Sequence, residues 1–222
     1  MNTLWRTHFR GREPLVLGVL VSGSGTNLQA IIDEIDRGSL NAKIAVVVSN
    51  IASAKALDRA RTAGIPTVVL DHKAFADRAA FDTKLVETLL AHHVTCVVFA
   101  GFMRIVTSVV LRAFPNRVVN IHPSLLPAFP GVNAQAQAVA YGARLSGCTV
   151  HFVDEGTDTG PIIAQRGVPV YDDDDEASLR ERILRKEHAL LPTVLQWIAD
   201  GRIEIDTSGD GTRARVRLKP YS

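Results

Sequence analysis

Two kinds of apolar pattern alternate along the first half of the chain. Short continuous apolar runs are typical of strands that are buried on both faces of a sheet, and apolar residues three or four positions apart are typical of helices that pack on it. Because the two patterns alternate, they predict a parallel sheet with right-handed crossovers. The predicted strands are residues 15–21, 43–49, 66–70 and 94–100, and the predicted helices run from Leu28 to a cap at Gly38, over 53–64 and over 77–92.

The pattern changes after Pro115, where prolines and short strands become frequent. This part of the chain predicts, in order, a strand over residues 117–120, a short helix over 133–141, and strands over 147–153 and 161–170. The last two strands are close enough in sequence to pair as a hairpin around the loop DEGTDTG at residues 154–160.

The C-terminal part predicts one long helix and one further hairpin. The helix covers residues 176–199 and is expected to be interrupted near Pro192. The alternating tail predicts a hairpin over residues 202–218 with Gly209 and Gly211 at its turn. The whole pattern predicts an α/β fold, an open, mostly parallel twisted sheet with helices on both faces and antiparallel strands in its C-terminal part.

The composition narrows the class of protein. With 222 residues, 46% apolar and 22% charged, the chain fits a single domain over residues 1–222. A formal net charge of +2 gives no broad electrostatic attraction, so we expect neither nucleic acid nor a membrane as a partner. No segment approaches the roughly 20 apolar residues that cross a bilayer.

The N-terminal residues and the two cysteines bear on location. Residues 1–13 carry three arginines but no apolar stretch, which argues against a secretory signal and predicts a flexible extension. Cys96 and Cys148 both lie in apolar sequence. They are therefore predicted to be buried reduced thiols, which favours a cytoplasmic location.

The sequence Ser-Gly-Ser-Gly-Thr-Asn at residues 22–27 connects the first predicted strand directly to a helix. Such a corner leaves backbone N–H groups at a helix N-terminus, where the helix dipole favours an anion such as phosphate. The segment lacks the lysine of a P-loop and the third glycine of the dinucleotide-binding fingerprint. Thr26 and Gln29 also match a capping box, so a tight turn before a capped helix is the alternative interpretation.

Three polar residues stand at predicted element ends in the second half. Asn120 and His122 are separated by one residue, so both side chains face the same side of a strand, and Pro123 then ends that strand. Asp158 lies in the predicted hairpin loop. A single histidine in apolar sequence is usually structural. An Asn–His pair at a strand's carboxyl end, in a sheet that also carries a phosphate corner, favours a functional role.

Several motifs carry a family resemblance. The segments VSGSGTNLQAII, AGFMRI, NIHPSLLP, GCTVHFVDEGTDTGPII and RKEHALLP occur in this order between Leu15 and Gly201. Together they resemble the phosphoribosylglycinamide (GAR) formyltransferases. The HPSLLP element is shared with methionyl-tRNA formyltransferase and formyltetrahydrofolate deformylase, but the chain length leaves no room for the additional domain of either, and the SGSGTNL corner resembles the GAR enzymes specifically.

The resemblance implies a chemistry and a set of residues. The family transfers a formyl group from 10-formyltetrahydrofolate to the amine of GAR, needs no metal, and is expected here as a monomer or homodimer. Asn120 would donate to the tetrahedral oxyanion, and a protonated His122 would stabilise it and act as general acid. Asp158 would favour the charged imidazole and so raise the pKa of His122. The matching GAR-binding positions are Ser24, Gly25, Thr26, Asn27 and Glu187, and the matching folate-binding positions are Arg78, Met103, Arg104, Ile105 and Val106.

One departure and two alternatives remain. Family members often carry a histidine in the loop beyond HPSLLP where this chain has Gln135. A nucleotide- or sugar-phosphate-binding module without catalysis could use the same corner, but it has no use for all of Asn120, His122 and Asp158. A Rossmann-type oxidoreductase is disfavoured because Ser49 and Asn50, and no acidic residue, end the second strand.

Overall fold

A computed structural model of the chain describes residues 5–6, 13–206 and 214–220. The described strands are β1 (Trp5–Arg6), β2 (Leu15–Val21), β3 (Ala42–Ser49), β4 (Thr67–Val69), β5 (Cys96–Phe99), β6 (Val118–His122), β7 (Leu145–Phe152), β8 (Ile162–Pro169), β9 (Ile203–Asp206) and β10 (Arg215–Leu218). The described helices are α1 (Thr26–Asp36), α2 (Lys55–Thr62), α3 (Arg78–Ala91), α4 (Ser108–Ala113), α5 (Ala134–Tyr141) and α6 (Glu176–Ala199), with a 3-10 turn at His72–Ala74.

The predicted elements are confirmed, and their ends shift by one or two residues. α4 and the 3-10 turn have no counterpart among them, because each is too short to show a period. Gly38 follows α1 in the left-handed conformation with φ 75°, as a C-terminal cap requires.

Seven strands form the main sheet in the order β4-β3-β2-β5-β6-β7-β8. The first five of these are parallel, β7 is antiparallel to β6, and β8 is antiparallel to β7. One face buries Leu28 of α1 and Leu190 of α6, and the other buries Leu85 of α3 and Val110 of α4. The predicted fold class is therefore confirmed, with helices on both faces and antiparallel strands in the C-terminal part.

A second sheet has the order β1-β9-β10. The predicted C-terminal hairpin is confirmed in the antiparallel pairing of β9 with β10, and its turn at Gly209 and Gly211 lies outside the described residues. Trp5 pairs with Ile205, so two residues of the N-terminal extension form a strand. The sequence contains no signal for this pairing, because a strand of two residues has no alternation.

The expected interruption of α6 is wrong, because the helix continues through Pro192. A proline removes the hydrogen bond that its own N–H would donate to the carbonyl of His188. Around this point Leu191, Val194 and Leu195 are fully buried in the core. Their packing holds the helix together where its backbone ladder is broken. Neither α6 nor another helix of the described residues combines the length and apolar character of a membrane span.

The two cysteines are free and buried, as predicted. Burial raises the pKa of the Cys96 thiol to about 12, and burial likewise raises that of Cys148 to about 12. Both thiols are therefore protonated at neutral pH and act as small apolar side chains.

The order of the sheet places the predicted functional segments together. β2, β5 and β6 are adjacent and parallel, so their carboxyl ends lie at the same edge. Residues 22–27 follow β2, residues 100–107 follow β5, and Asn120 and His122 lie at the end of β6. Ligands of open parallel sheets bind at such an edge.

A pair of facing glycines tests how closely β7 and β8 approach. Gly147 lies opposite Gly167. A Cβ at Gly147 would lie 2.0 Å from the carbonyl oxygen of Arg166, whereas at Gly167 the nearest atom, a methyl carbon of Leu145, would lie at 3.5 Å. Gly147→Ala should therefore lower the free energy of unfolding by about 1–3 kcal/mol, and Gly167→Ala should change it by less than about 0.5 kcal/mol. Urea unfolding measures both, and equal midpoints for the two variants would contradict the close approach.

Candidate active site

Asn120, His122 and Asp158 meet at the carboxyl end of β6. His122 Nδ1 lies 3.3 Å from Asp158 Oδ2, and Asn120 Nδ2 lies 3.4 Å from Asp158 Oδ1. His122 is buried, and the side chain of Asp158 is 12% exposed. The structure therefore brings the three sequence-predicted residues into one cluster that is almost closed to solvent.

The loop between β7 and β8 places Asp158 over the histidine. Asp158 has a left-handed backbone with φ 55°, a conformation that only a few non-glycine residues adopt. Its Oδ2 accepts a hydrogen bond from the N–H of Gly131 at 2.8 Å. Asp154 Oδ1 organises the same loop by accepting from the N–H of Gly156 at 3.1 Å and from Thr159 Oγ1 at 2.7 Å. One carboxylate thus orders the loop, while the other points into the site.

The hydrogen bonds of His122 determine which of its ring nitrogens carries a proton. Nε2 lies 2.8 Å from the carbonyl oxygen of Phe129. A carbonyl only accepts, so Nε2 carries a proton and donates it. In a neutral imidazole, Nδ1 then presents a lone pair to the Asp158 carboxylate. A second proton on Nδ1 converts this contact into an ion pair.

Burial lowers the pKa of His122 below its ordinary value, although Asp158 and the Phe129 carbonyl act in the opposite direction. Asp158 acts to raise this pKa, as expected, but desolvation outweighs the carboxylate and the net shift is downward. Burial alone would raise the pKa of Asp158, but the hydrogen bond from the Gly131 N–H and the nearby His122 hold it below its ordinary value. The carboxylate is thus ionised beside a histidine that gains a second proton only at a desolvation cost.

His151 is a fourth member of the cluster, which sequence reasoning missed. It lies on β7 directly opposite Asn120 and is buried. Its Nδ1 lies 2.8 Å from the carbonyl oxygen of Phe152 and donates to it, so Nε2 accepts from Asn120 Nδ2 at 3.1 Å. Nε2 also lies 3.6 Å from Asp158 Oδ1, too far for a normal hydrogen bond. Its signal was a histidine inside an apolar strand, but the register that sets it against Asn120 cannot be read from the sequence.

The phosphate corner differs from the predicted capping box, which is wrong. Gly25 is the N-cap residue, and no side chain caps α1. Gln29 turns its side-chain amide to Asp33 Oδ1 at 2.9 Å. Among the described residues, the N–H groups of Thr26 and Asn27 have no hydrogen-bond partner. These are the donors that an anion at a helix N-terminus would use.

Only glycine fits at the N-cap position. Gly25 has a left-handed backbone with φ 72°, and a Cβ there would lie 2.5 Å from the Cβ of Ala56 on α2. α2 therefore packs directly against the corner. It also contributes Arg59, whose Nε donates to the carbonyl oxygen of the exposed Ser24 at 2.9 Å. This cation at the corner was not predicted, because a charge on a short polar helix is usually a solvated one.

Glu187 reaches the corner from α6. Asn27 Nδ2 donates to Glu187 Oε2 at 2.7 Å, and both side chains are buried. Burial raises the pKa of Glu187 to about 7, and the bond from Asn27 lowers it in part. Asn27 Oδ1 is buried without a hydrogen-bond partner among the described residues. The structure thus brings Glu187 to the other predicted GAR-binding residues. The Glu187 carboxylate and Asn27 Oδ1 are the buried hydrogen-bond acceptors there.

The predicted folate segment, residues 103–106, follows β5 as part of a connection without helix or strand. Met103 and Ile105 are exposed, Val106 is buried, and the Arg104 guanidinium lies over the ring of Phe81 at 5.2 Å from its centroid. Within the described part of the chain, the main-chain groups of residues 104–106 form no hydrogen bond. A segment with open main-chain donors and acceptors can pair with a planar heterocycle.

Arg78 and Gln135 lie at the margins of the site. Arg78 is exposed at the first position of α3, one turn before Phe81. Gln135, which stands where the family often has histidine, is buried at the start of α5. The preceding loop is held instead by Gln137, whose Nε2 donates to the carbonyl oxygen of Val132 at 2.8 Å.

Known proteins match both the sequence and the fold. The chain is 42% identical over 198 residues to phosphoribosylglycinamide formyltransferase of Escherichia coli, covering 88% of this chain and 93% of that one. It is 46% identical over 187 residues to the trifunctional purine biosynthetic protein adenosine-3 of Drosophila melanogaster, covering 83% of this chain but 14% of that protein. It spans 14% to 21% of the length of such trifunctional animal proteins.

Solved structures give the same result. Glycinamide ribonucleotide transformylase 1 from Symbiobacterium toebii superposes with a TM-score of 0.88 at 48% sequence identity, covering 93% of this chain and 95% of that one. The family model described as formyl transferase matches residues 16–195, which include the corner, the folate segment and the cluster around Asp158. By sequence and by fold, the chain belongs to the formyl transferase family.

Proposed function

We propose that the protein is a phosphoribosylglycinamide formyltransferase of purine biosynthesis. It transfers the formyl group of 10-formyltetrahydrofolate to the amino group of GAR and releases formyl-GAR and tetrahydrofolate. The observation that carries this proposal is the position of the Asn120, His122 and Asp158 cluster. It lies at one sheet edge with a corner of unpaired helix N–H groups and with a segment whose main chain is open among the described residues.

The proposed chemistry is a direct transfer. The amine nitrogen of GAR attacks the formyl carbon and forms a tetrahedral intermediate with a negative oxygen. The carbon–N10 bond then breaks, the new amide nitrogen loses a proton, and N10 of the folate gains one. His122 and Asn120 stabilise the negative oxygen through N–H donors, and Asp158 keeps the imidazolium form of His122 accessible despite its burial.

This mechanism requires an exchange of hydrogen bonds. Nε2 of His122 is bonded to Phe129, and Nδ2 of Asn120 is bonded to His151, with the longer contact to Asp158. Each residue must therefore give up one of these contacts to donate to the substrate oxygen. His151 acts here by holding the amide of Asn120 in place.

The two substrates occupy different segments of the same sheet edge in this proposal. The GAR phosphate binds at Ser24, Gly25, Thr26 and Asn27, and Glu187 accepts from the ribose hydroxyls. The folate ring edge pairs with the main chain of residues 103–106, and Arg78 lies beside the rest of the cosubstrate. The single domain over residues 1–222, the cytoplasmic location, the absence of a metal, of nucleic acid and of a membrane partner, and a monomeric or homodimeric state all stay predictions.

The function is tested by supplying the purified protein with GAR and 10-formyltetrahydrofolate. We expect tetrahydrofolate and formyl-GAR in equal amounts, and no tetrahydrofolate when GAR is omitted. Release of formate without GAR would identify a deformylase instead. Binding of GAR without any turnover would identify a non-catalytic sugar-phosphate module.

The charge of Asp158 is tested by Asp158→Asn, which keeps the shape of the side chain. Removing the charge lowers the pKa of His122 further, because the carboxylate is what opposes desolvation. Turnover should fall roughly a hundredfold, and the alkaline limb of the rate profile should move to lower pH. Asp154→Asn is the matched control, since Asp154 orders the same loop without touching His122. An unchanged pH profile in Asp158→Asn would leave Asp158 with only a loop-ordering role.

The ionisation of Glu187 should be visible in substrate binding. With a pKa of about 7, the carboxylate ionises across neutral pH, so the KM for GAR should fall as the pH rises through this value. Glu187→Gln should abolish that dependence, whereas Glu181→Gln, an exposed glutamate on the same helix, should not. A pH dependence that persists in Glu187→Gln would place the titrating group elsewhere.

The same group has the opposite effect on stability. Because folding raises this pKa from 4.5 to about 7, its contribution is full below the unfolded value and is lost as the pH rises through the folded value. Relative to Glu187→Gln, the free energy of unfolding of the wild type should fall by about 3 kcal/mol over this window. Denaturant unfolding at several pH values measures it, and parallel curves for the two proteins would contradict the burial effect.

A further inference from the structure

The hydroxyl of Ser22 connects the phosphate corner to the folate segment. Ser22 is the first residue of the phosphate corner and is buried. Its Oγ accepts a hydrogen bond from the main-chain N–H of Met103 at 2.9 Å and donates one to Asn50 Oδ1 at 2.6 Å. Its own N–H donates to the carbonyl oxygen of Gly101 at 3.0 Å. One residue of the corner is therefore bonded twice to the chain that leads into the folate segment.

The folate segment makes few other main-chain hydrogen bonds. At its far end, the N–H of Thr107 donates to the buried carboxylate of Asp82. Between these anchors, the main-chain groups of residues 104–106 have no hydrogen-bond partner within the described part of the chain. With so few hydrogen bonds of its own, the segment is positioned by its two ends and by the packing of Val106 in the core. Ser22 forms the end that faces the corner.

Asn50 determines which hydrogen bond the Ser22 hydroxyl donates and which it accepts. A serine hydroxyl has one proton and two lone pairs. Because the Ser22 proton is donated to Asn50 Oδ1, a lone pair is left for the N–H of Met103. Asn50 directly follows β3. The hydrogen bonds of Ser22 therefore connect the carboxyl ends of the three neighbouring strands β3, β2 and β5.

We propose that Ser22 is a positioning residue for formyl transfer, whose hydroxyl holds the folate segment at a fixed distance from the phosphate corner. The proposal rests on the proposed function, because it assigns the corner to GAR and the segment to the folate. The reacting carbon and nitrogen belong to different substrates, so a shift of one subsite against the other misaligns them. Ser22 acts through Met103 and contacts no reacting atom.

The test is Ser22→Ala, which keeps the backbone bond to Gly101 and removes only the hydroxyl. The KM for 10-formyltetrahydrofolate should rise roughly tenfold, while the KM for GAR should stay within about twofold of the wild type. Calorimetry with tetrahydrofolate alone should show a similar loss of affinity. This binding measurement needs no turnover, so it is independent of the reaction.

Ser146→Ala is the matched control. Ser146 is a buried serine of β7 whose Oγ has no hydrogen-bond partner among the described residues. Removing that hydroxyl should change neither KM. Asn50→Ala is the second variant, because it removes the acceptor that orients Ser22. It should shift the same KM in the same direction by a smaller factor, and it keeps the proposal testable if Ser22→Ala does not fold.

The outcomes separate this proposal from the proposed function. A wild-type protein that transfers no formyl group contradicts the function itself. An active wild type in which Ser22→Ala and Asn50→Ala leave kcat, the folate KM and the tetrahydrofolate affinity unchanged overturns the positioning role alone. An equal rise of both KM values also overturns it, because the folate segment would then not be the part that moved.

Discussion

The parallel pairing of β5 between β2 and β6 is the constraint on which the site depends. Leu20 of β2 lies opposite Phe99 of β5, and Phe99 lies opposite Asn120 of β6. Backbone hydrogen bonds fix this register, so three segments that are far apart in sequence end at the same level of the sheet. The corner and the folate segment follow β2 and β5 beyond this level, whereas Asn120 and His122 project from the paired strand β6 itself.

The change of strand direction after β6 supplies the rest of the site. Because β7 runs antiparallel, it places His151 opposite Asn120 and ends beside Val118, and the loop that follows β7 folds back so that Asp158 reaches His122. The result is a carboxylate between two imidazoles in a nearly closed cluster. Burial disfavours charge on His122, and the carboxylate favours it. The protonation state of the histidine is set by this competition and is therefore sensitive to what covers the cluster.

The sequence was sufficient for the parts that depend on local patterns. The continuous apolar runs predicted the strands, and the Asn120–His122 spacing predicted a shared direction. It was insufficient where the structure depends on contacts between segments that are far apart in the sequence. The role of His151 follows from the register of β7 on β6, and the continuity of α6 through Pro192 follows from core packing around Leu191. The capping box failed because Gly25 packs against Ala56 on another helix.

The distribution of hydrogen bonds divides the site into two kinds of surface. In the central cluster, the donors of Asn120 and His122 are already paired within the protein. Beside the cluster, the N–H groups of Thr26 and Asn27 and the main chain of residues 104–106 are open among the described residues. Under the proposed function, contacts with the phosphate and the folate ring form on the open surfaces and can offset the exchange of bonds at the centre. Binding free energy from parts of the substrates that do not react is then used where the reaction occurs. The internal hydrogen bonds of Asn120 and His122 also keep these buried polar groups satisfied when no substrate is bound. The same hydrogen bonds therefore stabilise the fold without substrate and hold back the reactive arrangement until both substrates are in place.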